Sequence, residues 1–138
     1  MRLLSVPFCF ALCATAFLSQ PCSGQSASSE TALSAAYSTC IDKSECVTSE
    51  MRDCAEEETR RLEARLTDAY RKALASVPTS RQGLLREAQH AWIRYRDTTC
   101  SFMTQLGDRG TSALLADDSC HLLATAERVR WLESIPLD

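Results

Sequence analysis

Four side chains in the middle of the chain have the types and spacing to do chemistry: Gln89, Trp92, Arg96 and Cys100. They follow one another at +3, +4 and +4. On a helix they would form one stripe carrying an amide, an indole, a guanidinium and a thiol. Such a stripe can bind a carboxylate or a sugar, or it can bond to neighbouring helices and fix their register. Buried arginine is normally paired, so bracing is the first reading. Asp97, Glu63 and Asp68 are the candidate acids for Arg96 and for Arg128 further along. Trp92 is read as core, and Tyr95 is open between core rim and binding surface.

Catalytic sets are thin. The two histidines, His90 and His121, fall on separate segments with no His-Glu-x-x-His pattern. A Cys100–His121 dyad competes with a Cys100–Cys120 disulfide, and the disulfide is preferred. Glu56-Glu57-Glu58 is followed by Arg60-Arg61, which reads as a solvated run of helical ion pairs. Neither this run nor Asp117-Asp118 has the apolar setting that would raise a carboxyl pKa for acid catalysis. The expectation is a non-enzyme with no cofactor and no metal.

Compartment follows from the first residues. Met1-Arg2, the apolar run Leu3 to Leu18 and the small residues Cys22-Ser23-Gly24 read as a signal peptide over residues 1–24. A cut after Ala16 is the alternative. The apolar run is short for a span and holds Pro7, so stable membrane insertion is not expected after cleavage. Pro21 before Cys22 argues against a lipoprotein anchor. Removing Arg2 leaves 14 bases against 18 acids, a net charge of −4. A mildly acidic chain without a basic patch excludes nucleic acid and favours a basic protein as partner.

Five cysteines follow residue 24: Cys40, Cys46, Cys54, Cys100 and Cys120. An exported chain keeps disulfides, and the spacings do not fit zinc. Besides Cys100–Cys120, the expected pair is Cys40–Cys54, which leaves Cys46 over. Pairing of Cys40 with Cys46 is the alternative.

Three elements must position these residues. Gln25 onward is a Ser- and Ala-rich flexible leader (25–39), with order beginning around Tyr37 and Cys40. A first long helix covers 47–77, with Val47, Met51, Cys54, Leu62, Leu66, Ala69, Ala73 and Val77 on one face and Pro78 as its stop. Thr79 and Gln82 form a capping box that starts a second helix over about 80–105. Its apolar face reads Leu84/Leu85, Ala88, Ala91/Trp92, Tyr95, Phe102/Met103 and Leu106. The short link makes these two helices antiparallel neighbours. The loop Gly107–Thr111 leads to a third helical segment, about 112–134, which Asp117-Asp118 breaks into a short turn and a main helix. No period-two pattern supports a sheet. The fold expected is all-α, a small disulfide-braced bundle of three principal helices, with the domain at 40–135.

Leu85, Ala88-Gln89, Trp92, Tyr95-Arg96-Asp97 and Cys100 make up a pattern, L-x-x-A-Q-x-x-W-x-x-Y-R-D-x-x-C. It resembles the signature of the lysozyme-inhibitor LprI-like family. Cys40 with Val47–Cys54, then Leu66 and Tyr70, then Gly110-Thr111, Cys120 and Thr125–Arg128 are similar to that family's outer elements. The resemblance runs from Cys40 to Leu132. Glu63 and Thr67 stand where the family usually has Asp and Asn, and Cys46 is extra to the pattern.

The resemblance implies a small exported helical protein, periplasmic or secreted. It implies structural roles for Gln89, Trp92, Tyr95, Arg96, Asp97 and Arg128. Its functional implication is a binding protein that inhibits a lysozyme, a basic enzyme with a carboxylate-lined cleft. Arg109 with Asp108, on the Gly-flanked tip between the second and third helices, is the expected contact, because guanidinium pairs well with carboxylates. The rival reading is an envelope interaction or scaffold module without lysozyme inhibition.

Overall fold

The structure is a computed structural model that describes residues 33–106 and 110–136. The expected signal segment, the expected leader up to residue 32, and Asp108 and Arg109 lie outside the described residues. Four helices follow in order: α1 (Ala35–Lys43), α2 (Thr48–Ser76), α3 (Thr79–Leu106) and α4 (Thr111–Glu133). The fold is all-α and braced by two disulfides, with three long helices and one short one.

α1 begins earlier than the expected end of the leader at residue 39. Ser34 caps it by accepting the backbone N–H of Tyr37 at 3.0 Å, which satisfies one of the open donors of the first turn. A bridge from Cys40 to Cys54 ties α1 to α2. The turn between them puts Glu45 and Cys46 in the left-handed region, at φ of 47° and 62°. Cys46 is exposed there, outside the two bridges.

α2 buries the expected face from Cys54 onward, whereas Val47, its N-cap, is 46 % exposed. Cys54, Leu62, Ala69 and Ala73 are 5 % exposed or less, and Leu66 and Tyr70 pack against the same cluster as Ala69 and Ala73. Pro78 ends it. The capping box is not the start of α3: Thr79 is already helical, and the Gln82 amide turns forward to accept from Arg86 at 3.3 Å. α4 is unbroken through Asp117 and Asp118. Both carboxylates leave the backbone alone and bond side chains of other helices, Thr104 at 2.9 Å and Arg52 at 2.9 Å.

α4 is the central element. It packs along α2 and also along α3, whereas α2 and α3 share no extensive face. Its buried residues Leu122, Ala126, Val129 and Leu132 explain this: all are at most 1 % exposed. Leu122 and Ala126 join Ala55 and Leu62 of α2 in one core cluster. Leu132 joins Ala69, Ala73 and Leu85 in another, near the α2–α3 turn, where all three helices meet. Away from that turn, α3 is held to α4 by the Cys100–Cys120 disulfide. The antiparallel pair therefore has α4 between its arms.

Candidate functional site

The stripe Gln89–Trp92–Arg96–Cys100 faces α4. Gln89 is 7 % exposed, and its side-chain oxygen accepts from Arg128 Nε at 2.9 Å. The Arg128 guanidinium lies 4.0 Å from the Trp131 ring centre and 5.6 Å from that of Trp92. Arg96 stacks on the same Trp92 at 5.0 Å. Both cations thus rest on ring faces, where the quadrupole attracts positive charge. Arg96 also donates to Asp97 at 2.9 Å and to Thr125 at 3.4 Å. Asp97 is the acid that answers Arg96. Asp68 pairs instead with Arg71 and Lys72, and Arg128 is met by an amide and two indoles. Burial pushes the Arg128 pKa down, and its Nη2 is buried without a hydrogen bond.

Trp92 is therefore not core. It is half-buried, belongs to neither apolar cluster, and serves as a platform between two guanidiniums. Tyr95 resolves to the outside, 66 % exposed. Cys100 is bonded to Cys120, so its thiol is not available for a dyad with His121.

Glu58 departs furthest from the sequence reading. The ion pairs of its run form, Glu57 with Arg60 at 2.7 Å and Glu58 with Arg61 at 2.6 Å. Yet Glu58 is buried, not solvated, at 3 % exposed. Its carboxylate accepts two bonds from Arg61, at 2.8 and 2.6 Å. It accepts two more from Ser34, from N–H at 2.8 Å and from the hydroxyl at 2.7 Å. All four lone-pair directions are used. Burial alone would raise this carboxyl, but the bonds from Arg61 and Ser34 outweigh it and hold the pKa below its ordinary value. The signal was present in the sequence: an acid in an otherwise apolar face needs a buried partner.

An open cleft of about 360 Å³ lies between the three long helices. α2 contributes Arg52, Asp53, Glu56 and Glu63, α3 contributes Arg96, and α4 contributes Asp118 and His121. Arg52 is taken by Asp118 at 2.9 Å, and Arg96 by Asp97. Among the described residues, neither Asp53 nor Glu63 is held in an ion pair. The cleft thus presents carboxylates in excess. Thr67, one turn from Glu63, bonds back to the Glu63 carbonyl at 2.9 Å. Asp108 and Arg109 are outside the described residues, and no geometry bears on them.

Comparison with protein-family models matches residues 40–132 to lysozyme inhibitor LprI. The chain belongs to the LprI lysozyme-inhibitor family. The matched span starts at the first bridged cysteine and ends at Leu132, the last core residue of α4, so it coincides with the braced helical body. No curated protein and no solved structure matches the chain. No described helix is long and apolar enough to cross a membrane. Within this LprI-family body, Gln89, Trp92, Arg96 and Arg128 form the α3–α4 brace, while Tyr95 points away from it.

Proposed function

We propose that this protein is exported, to the periplasm or beyond the cell, and binds and inhibits a lysozyme without chemistry of its own. Family membership supports the class of activity. The two disulfides suit an oxidising compartment. The observation that carries the reading is the cleft in which Asp53 and Glu63, among the described residues, are held in no ion pair. A basic partner supplies them with Lys or Arg side chains, and the excess acid speeds encounter. The tip with Asp108 and Arg109 is the proposed second contact, its guanidinium entering the carboxylate-lined cleft of the enzyme.

A turbidity assay with purified protein and lysozyme tests this directly. Excess protein is expected to slow clearing of the cell suspension. Double reversal Asp53→Lys with Glu63→Lys exchanges attraction for repulsion at two exposed positions. It is expected to weaken inhibition by roughly tenfold. Arg109→Ala is expected to weaken it separately. Undiminished lysis at excess protein would leave the envelope scaffold module as the better reading.

A further inference from the structure

α3 carries another stripe that the bundle does not use. Leu84, Ala88, Ala91, Tyr95, Phe102 and Leu106 lie within a narrow arc of the helix, at steps of three, four and seven residues. All six are exposed, and the four large ones are 66 %, 66 %, 59 % and 65 % exposed for Leu84, Tyr95, Phe102 and Leu106. The stripe runs along about 33 Å of helix. It contains no charge. Thr98 and Thr99 fill the step between Tyr95 and Phe102. Soluble monomers rarely leave a largely apolar, uncharged strip of this extent in water.

We infer that α3 pairs with the α3 of a second copy of this chain, antiparallel across a two-fold axis at Tyr95. A two-fold interface requires a surface that is complementary to itself. The stripe has that property. With Tyr95 on the axis, Leu84 meets the second copy's Leu106, and Ala88 meets its Phe102, small against large. Ala91 meets Thr99, so only small side chains flank the crossing and the helices approach closely.

Area agrees. Two-thirds of an aromatic side chain is on the order of 100 Å². Tyr95 and Phe102 at that figure, Leu84 and Leu106 at a comparable one and the small residues between them give roughly 500–600 Å² per copy, the low end of the range and enough for a weak dimer. Other occupants fit less well. Once the proposed signal segment 1–24 is removed, the eight residues 25–32 before the described body carry no large apolar side chain. A basic protein surface gains nothing from an uncharged strip and belongs at the cleft. The inference stands whether or not lysozyme is inhibited.

Sedimentation velocity on the disulfide-intact protein, over a concentration series, tests it. A reversible monomer–dimer equilibrium is expected. Tyr95→Glu and, independently, Ala91→Glu are expected to loosen it at least tenfold while helicity and both disulfides remain. In a Cys46→Ser background, Tyr95→Cys is expected to cross-link to itself under mild oxidation. There, Leu84→Cys is expected to cross-link to Leu106→Cys when the two proteins are mixed. A monomer at every concentration overturns the inference. So does a dimer that both glutamate variants leave intact, or self-linking of Leu84→Cys in place of the mixed pair.

Discussion

Glu58 shows how one residue can hold a terminus. Its carboxylate joins Arg61, one turn along α2, to Ser34, which in turn caps α1. Replacing it by alanine removes four accepted bonds and strands the Ser34 donors in a partly buried site. Arg61 is 38 % exposed and recovers water, so the expected cost is about 2–3 kcal/mol, read from urea midpoints of Glu58→Ala. The pH dependence has a definite sign. A carboxyl held below its ordinary value in the fold contributes stability above the unfolded pKa, about 4.3, and loses it as pH falls through the folded value. Stability is therefore expected to hold from neutral pH to about 5 and fall below, and Glu58→Gln removes part of that fall. Arg128 is another single-residue case. Lysine there keeps the charge but loses the planar stack on two indoles and the Nε bond to Gln89. Arg128→Lys is expected to cost about 1–3 kcal/mol and to change the tryptophan emission.

At the scale of elements, α3 is the instructive helix. Its periodicity identifies a helix but contains two neighbouring stripes about a third of a turn apart. One is mixed and carries Leu85, Gln89, Trp92, Arg96 and Cys100. The other is apolar and carries Leu84, Ala88, Ala91, Tyr95 and Phe102. Apolarity alone would bury the apolar stripe, yet it is outside. The mixed stripe wins because α4 supplies what its polar groups need: Arg128 for Gln89, Thr125 for Arg96, and Cys120 for Cys100. The distal half of α3 depends on that last link. Cys100→Ser or Cys120→Ser removes a closure with a sequence separation of 20 and is expected to cost about 3 kcal/mol. Amide exchange is expected to rise first in α3 beyond Arg96, where apolar packing is sparse. α4 misleads in the opposite way. Asp117-Asp118 has the composition of a break, but their carboxylates find Thr104 and Arg52 on other helices and do not compete for their own backbone.

For the whole molecule, the acidic cleft and the apolar stripe are separated. The cleft between α2, α3 and α4 holds carboxylates in excess, and the exposed Leu84–Leu106 stripe of α3 carries no charge. The proposed inhibition of lysozyme through that cleft is accordingly expected to weaken as ionic strength rises, measured as a salt series of the inhibition constant. Self-association through α3 is expected to be insensitive to the same series, because apolar contact is not screened. The sequence by itself determined the all-α class, the long-helix spans to within about two residues, the apolar face of α2 and the family signature. These depend on local periodicity, on Pro78 and on residue types. Only tertiary structure decided that α4 lies between α2 and α3, that Glu58 is buried and that Trp92 is a platform for two guanidiniums. It also decided which of the two α3 stripes faces inward. Each of those depends on a partner far away in the chain, and spacing within one helix carries no information about what stands opposite it.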